Sequence, residues 1–366
     1  MMLDKRKFKD LDMILFAKAF IVFLVGILSI YSATQAKNLP FAESYALKQL
    51  KWFGVGIIFL LIAIKVSYHR FLDIAYIVYA INVLLLVLVL IVGHARLGAQ
   101  RWFSIAGFAF QPSEFMKLSL ILALSAYVGN KKGAMESIKS LIVPCLLLAI
   151  PFILVLLQPD LGTALLLIPI FFAILLIGGA KPKYLTWMIG AGLAIMPFFW
   201  HALRGYQKQR LLVFINPNID PLGAGYTIIQ SKIAVGSGGL LGKGWLNGTQ
   251  NQLNFIPERH TDFIFSVIGE EWGFFGAVAL ILLYLLIIHR SFNIGNLTSD
   301  RCGKCISTGI AVLLSLQVII NIGMTIGLMP VVGIPLPLVS YGGSSLLATL
   351  VAIGLLLNVG MRRSTF

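Results

Sequence analysis

Apolar residues run through the chain in windows of about 20, the length that carries a helix across a ~30 Å hydrocarbon layer. About ten such windows are centred near residues 23, 59, 81, 121, 147, 169, 193, 275, 316 and 351, mostly with short polar connections between them. An open sheet cannot satisfy its backbone in lipid, so the pattern predicts an all-α polytopic membrane protein, a single integral domain over residues 1–366. Two connections break the rhythm. Residues 94–112 (HARLGAQRWFSIAGFAFQP) form one, and the much longer segment 203–260, between the seventh and eighth helices, forms the other. Inside the long segment, GYQKQRLLVFINP and YTIIQSKIAVGSGGLLGKGW read as short amphipathic helices lying at the membrane interface. The Gly-rich run Gly236–Gly244 that follows predicts a flexible turn, with a backbone-amide anion nest as the alternative.

Composition sharpens the class. With 58% apolar and 12% charged residues and a mean hydropathy of +0.92, the chain does not describe one oversized soluble core. The first apolar run, Met13 to Ser32, exceeds a signal-peptide core and lacks an A-x-A end, so it predicts an anchor that stays. A net charge of +15 raises the question of nucleic acid, but the basic residues alternate by loop instead of gathering in one aromatic-laced patch. Lys5, Arg6, Lys7 and Lys9 precede the first helix, Lys65 and Arg70 follow the second, and Lys131, Lys132 and Lys139 follow the fourth. Lys181 and Lys183 follow the sixth, Arg290, Arg301 and Lys304 the eighth, and Arg362 and Arg363 close the chain. By the positive-inside rule both termini lie in the cytoplasm and segment 203–260 lies outside. Arg204, Lys208, Arg210, Lys232, Lys243 and Arg259 make that outer segment basic as well. Long loops are translocated regardless of charge, and an anionic ligand on the outer face supplies a reason for the excess. Cys145, Cys302 and Cys305 are too few for a disulfide framework and read as incidental thiols.

Ionisable residues inside apolar windows are costly and therefore informative. The stretch PERHTDFIFSVIGEEWGFFG (257–276) places Asp262, Ser266 and Glu270 on one face if it is helical from Asp262 onward, with Glu271 beside them. His260 and Asp262 lack metalloprotease-like spacing, so His260 reads as a hydrogen-bonding wall residue. In PSEFMK, Ser113 is a candidate helix cap, and Glu114 and Lys117 share a face at i, i+3. Lys117 is a candidate phosphate ligand with Glu114 orienting it, against the plainer reading of a self-neutralising pair. In QPDLGT, Asp160 serves equally as helix cap and site wall. The uncharged run MPVVGIPLPLVSYGGSS (329–345), with three prolines and three glycines, predicts backbone that re-enters the membrane. No nucleophile elbow or Walker loop occurs, which removes support for covalent catalysis and nucleotide hydrolysis. The residues describe an outward-facing polar chamber. Glycosyl transfer from a lipid-linked phosphate and transport of an anion both fit it.

The runs GAQRW (98–102), PSEFMK, QPDLGT, PERHTDFIFSVIGEE and GIPLPLVSYGGSS resemble, in order and over essentially the whole chain, the signatures of the SEDS family (shape, elongation, division, sporulation). Arg259 and the VVGIPLP run resemble its rod-elongation branch more than its division branch. The resemblance implies a peptidoglycan glycosyltransferase of the cytoplasmic (inner) membrane that polymerises lipid II on the outer face. It also implies a class B penicillin-binding protein as transpeptidase partner, together with other proteins of the elongation complex. The family's essential acid falls on Asp262, and its helix-four charges fall on Glu114 and Lys117. The implied chemistry is an inverting displacement of undecaprenyl pyrophosphate, with Asp262 as base or as anchor of a divalent ion, Mg²⁺ or Mn²⁺. Arg101 and Lys117, and after them Arg210, are the candidates for the pyrophosphate. Trp102 packs against sugar or lipid, with an interfacial belt residue as its plainer reading, and Asp160, Lys243, His260 and Ser340 complete the expected substrate-binding set. A lipid II flippase and a non-catalytic scaffold for the transpeptidase are the competing functions.

Overall fold

Capping side chains and prolines set where the apolar helices begin. In the computed structural model, the described residues are 11–35, 40, 43–96, 99–105, 108–130, 137–202, 205–221 and 223–362. Lys5, Arg6, Lys7, Lys9, Gly98, Lys131, Lys132, Leu203, Arg204 and Arg363 lie outside them. The helices α1 (Met13–Gln35), α2 (Tyr45–Lys65), α3 (Tyr68–Asp73) and α4 (Ala75–Val92) come first. Strands β1 (His94–Arg96), β2 (Ala99–Ile105) and β3 (Phe108–Phe110) follow, then α5 (Pro112–Asn130), α6 (Ile142–Leu157), α7 (Leu161–Ile177) and α8 (Pro182–Ala202). The long segment holds α9 (Gly205–Ile215), α10 (Ala224–Ser237) and α11 (Thr249–Gln252), before α12 (Ile264–Leu297), α13 (Arg301–Thr325) and α14 (Gly343–Arg362). Ser44, Asp160 and Asp300 each accept from a backbone amide three residues on, at 3.2, 3.2 and 2.9 Å, and so satisfy first-turn donors.

Every predicted span holds a helix. Seven are long and apolar enough to cross a membrane: α1, α2, α4, α6 with the turn before it, α12, α13 and α14. The other three are α5, which carries Glu114 and Lys117, the 17-residue α7, and α8. The chain is a multi-pass membrane protein. α14 and α5 lie deepest, with most of their side chains buried. Gly354 lets α14 meet α2 closely, since a Cβ there would stand 3.0 Å from the Leu60 carbonyl oxygen. α8 sits at the periphery, with Leu185 its one buried side chain among the described residues.

Four local expectations change. Strands β1, β2 and β3 pair antiparallel in that order, with His94 opposite Trp102 and Phe103 opposite Phe110. Ser344 at the start of α14 fastens the sheet, accepting from the Gln111 amide at 3.0 Å and donating to the Ala109 carbonyl at 3.3 Å. Ser113 does not cap α5. Pro112 occupies the first helical position, which moves the cap upstream, and the Ser113 hydroxyl instead accepts from the Gln111 side chain at 3.0 Å. Asp262 is not helical: α12 begins at Ile264, so the shared face of Asp262, Ser266 and Glu270 does not form.

The fourth concerns the Gly-rich run, which is a splice. α12 breaks at Gly273 (φ 66°, ψ −162°), freeing backbone groups at membrane depth. The carbonyls of Glu270 and Glu271 accept from the Lys243 and Gly244 amides at 3.0 Å each, while the Phe274 and Phe275 amides donate to Gly239 and Leu240 at 2.9 and 3.2 Å. The turn thus pairs two carbonyls and two amides around the break, and pairing of this kind is what irregular backbone in a membrane protein requires. Gly242 (φ +82°) permits the contact, since a Cβ there would stand 2.1 Å from the Glu271 oxygen.

Candidate functional site

Asp262 lies in a turn immediately before α12, at the bundle end that bears the long segment. Three consecutive carbonyls at this point have no helical partner, and each is gripped from elsewhere. The His260 carbonyl accepts from the Tyr341 amide at 2.9 Å, the Thr261 carbonyl from the Ser340 hydroxyl at 2.6 Å, and the Asp262 carbonyl from the Asn321 side-chain amide at 2.9 Å. The run 330–342 supplies two of these grips. It is irregular, as its prolines dictate, and Ile334, Leu336, Leu338 and Val339 are buried in the bundle.

The Asp262 carboxyl is half-buried against Gly333 of that run; a Cβ on Gly333 would stand 3.3 Å from its oxygen. Burial and, after it, the nearby charge of Glu258 push the carboxyl up, Arg210 and Arg101 oppose them, and the balance is about 6. A carboxylate set this way takes a proton near neutral pH more readily than an ordinary aspartate.

Arg101 and Arg210 come together from distant parts of the sequence. With Pro159, Leu161, Val331 and Val332 they line one cleft. Arg101 donates from Nε to the Gln158 carbonyl at 3.0 Å and from Nη2 to the Pro159 carbonyl, and its Nη1 lies 3.6 Å from Asp160. Asp160 also caps α7, accepting from the Thr163 amide at 3.2 Å and its hydroxyl at 3.0 Å, so it is both cap and wall. Arg210 of α9 donates to the Val331 carbonyl at 3.4 Å and is exposed. Two cations thus face a cleft near a carboxyl, an arrangement able to hold a phosphate-bearing group next to that carboxyl.

Other expected residues sit elsewhere. Lys117 donates to Glu114 at 2.7 Å, both fully buried, beside a separate cavity lined by Leu313, Gln317, Ala348 and Thr349. Lys243 donates at 2.8 Å to both Glu270 and Thr249, fastening the splice. His260 is buried, its ring 4.7 Å from that of Tyr45. Trp102 is half-buried on β2. Ser340 spends its hydroxyl on backbone, accepting from the Leu336 amide at 2.8 Å while donating to Thr261. Arg259, buried, donates to the Ala33 carbonyl at 2.6 Å and to Asn254, and desolvation lowers its pKa.

Sequence reasoning did not single out Asn321. The signal was present: Gln317, Asn321 and Thr325 recur at i, i+4, i+8 on a spanning helix, and all three are buried.

The family of cell cycle proteins comprising FtsW, RodA and SpoVE matches this chain over residues 12–365. The peptidoglycan glycosyltransferase MrdB of Escherichia coli K12 is 42% identical over 286 residues, which are 78% of this chain and 77% of that one. A solved chain from a peptidoglycan synthase complex that coordinates polymerization and crosslinking superposes with a TM-score of 0.82 at 36% identity, over 97% of this chain and 99% of that chain. The crystal structure of the rod shape determining protein RodA of Thermus thermophilus gives a TM-score of 0.73 at 32% identity, over 97% and 98% of the two chains.

Proposed function

The chain belongs to the FtsW, RodA and SpoVE family, and from that premise we infer a peptidoglycan glycosyltransferase that polymerises lipid II, with Asp262 as the base. The observation that carries the assignment of Asp262 is its place: a carboxyl fixed by its backbone, raised towards neutrality, beside a cleft that holds Arg101 and Arg210. Joining a sugar hydroxyl to an anomeric carbon needs one group to take the hydroxyl proton and others to receive charge on the departing pyrophosphate. Asp262 takes the first role. Arg101 and Arg210 take the second, Arg101 being held by two carbonyls and Asp160 so that its orientation is set before substrate arrives. The Glu114–Lys117 pair lines a separate cavity with Leu313, Gln317, Ala348 and Thr349.

A divalent ion is compatible with the same acid. Among the described residues no three His, Cys, Asp or Glu side chains gather as a metal cage. Magnesium is commonly held by one or two carboxylates and substrate phosphates, which Asp262 and neighbouring Glu258 fit. Such an ion would neutralise charge on the pyrophosphate.

The alternation of basic loops supports both termini in the cytoplasm and the Asp262 end facing outward across the cytoplasmic membrane. A class B penicillin-binding protein is the proposed partner. The support is the solved complex coordinating polymerization with crosslinking, to which this fold is similar, and the apolar helix faces left exposed at the bundle surface.

Purified protein in detergent, given fluorescent lipid II with Mg²⁺ or Mn²⁺, is expected to make glycan strands without any membrane gradient, and more of them with the partner present. No polymer under either condition overturns the assignment.

A further inference from the structure

The proposed base has no side-chain hydrogen bond of its own among the described residues, yet the peptide that carries it is gripped at three successive carbonyls. Two grips come from side chains. Asn321 is fully buried on α13, and its Nδ2 donates both to the Asp262 carbonyl (2.9 Å) and to the Ile334 carbonyl (2.8 Å). One amide therefore joins the turn that carries the acid to the run that carries Gly333, the residue against which the acid rests. The Asn321 Oδ1 has no hydrogen-bond partner among the described residues, although it is buried. A polar group that costs this much in a spanning helix is retained for what its donor does. Ser340 repeats the arrangement from the other side, with its hydroxyl between the Leu336 amide and the Thr261 carbonyl. Ser340 is in turn fixed by Gln49 of α2, fully buried, which donates to the Ser340 carbonyl at 3.1 Å and accepts from the Gly342 amide at 3.2 Å.

We propose that Asn321 and Ser340 are positioning residues for the glycosyl transfer, setting the Asp262 carboxylate relative to the cleft by clamping the Thr261 and Asp262 carbonyls to the 330–342 run. The inference rests on Asp262 being the base. Neither side chain touches substrate in this arrangement; each acts through the peptide that it holds. Alignment of a reacting group matters steeply, since a displacement of about 1 Å costs on the order of 10²-fold in rate. The loss falls on turnover, because Arg101, one of the two cationic walls of the cleft, is anchored to Gln158, Pro159 and Asp160, outside the 330–342 run.

The test measures kcat and KM for lipid II polymerisation by purified full-length protein, with thermal melting of each variant. Asn321→Leu keeps volume and removes the donor; Ser340→Ala removes the hydroxyl, and Ser340→Thr keeps it. For both Asn321→Leu and Ser340→Ala, kcat is expected to fall on the order of 10²-fold with KM within about threefold of wild type. Ser340→Thr is expected to recover most of the loss. The inference is overturned if folded Ser340→Ala turns over normally, if Ser340→Thr is as impaired as Ser340→Ala, or if the loss lies wholly in KM. Wild-type protein and Asp262→Asn in the same assay separate the two levels. Silent wild type or a fully active Asp262→Asn removes the underlying reading, whereas active wild type with active clamp variants removes only this one.

Discussion

A Cβ on Gly333 would stand 3.3 Å from the carboxylate oxygen of Asp262, so the acid and the 330–342 run share one narrow space. Gly333 also has φ +73°, where a side chain strains the backbone. Gly333→Ala is expected to cost roughly 1–2 kcal/mol of stability from the left-handed conformation. It is also expected to lower polymerisation per folded molecule by crowding the acid. Thermal melting and a gel-based glycan assay on the same preparation check both, and full turnover with lowered stability would limit Gly333 to a backbone role.

Asp262→Asn keeps the size of the side chain and the backbone grip while removing the basic lone pair. General-base catalysis contributes about 10²–10⁴-fold, so turnover is expected to fall by at least that range while lipid II still binds. Binding measured on the same folded variant distinguishes a lost base from a lost site.

The pH dependence has two opposite signs. With its pKa raised to about 6, Asp262 keeps a proton in the folded protein that the unfolded chain has already released. Its stabilising contribution is therefore present in acid and is lost as pH rises through about 6. Activity runs the other way, since the base must be ionised, and is expected to rise through the same interval. Asp262→Asn should flatten that step in thermal stability and be no less stable than wild type above it. A rate profile flat between pH 5 and 7 would count against Asp262 as the base.

For the buried pair, Lys117→Met leaves the buried Glu114 without its partner. Breaking such a pair typically costs about 3–5 kcal/mol, whereas replacing both members is often tolerated. The double variant Glu114→Gln with Lys117→Met is expected to melt above the single Lys117→Met. Equal melting temperatures would mean that the charges do not depend on each other.

Glu270 is fully buried and accepts from Lys243, the Thr249 hydroxyl, and the Gln250 and Asn251 amides at 2.8, 3.1, 2.9 and 3.2 Å. Glu270→Ala strips all four donors of their acceptor and is expected to destabilise by roughly 3 kcal/mol. Limited proteolysis should then cut first within residues 239–252. Unchanged resistance there would show that the splice at Gly273 holds the segment without the carboxylate.

Much of this was legible in the order of residues. Long apolar windows leave a helix as the one way to pair the backbone in lipid, so each expected span is a helix. Cap chemistry is equally local, and Asp160 caps α7 as its position before an apolar run suggests. The i, i+3 spacing of Glu114 and Lys117 likewise sufficed to put them in contact. Local pattern misled where a distant segment decides the backbone. Asp262 reads as helical by periodicity, but Ser340, Tyr341 and Asn321 hold its turn open from 59 to 79 residues away along the chain. The Gly-rich run reads as a free turn because the break in α12 that it fills lies some thirty residues on. Which cations reach the acid was also a tertiary outcome: Arg101 and Arg210 meet at one cleft, while Lys117 and Lys243 are consumed by Glu114 and Glu270. Lipid penalises every unpaired polar group, so residue order alone dictates what must span the membrane and which ionisable residues are too costly to be idle. Which of those residues face one another depends on contacts between helices and irregular segments that no local spacing encodes, and so follows from the assembled fold alone.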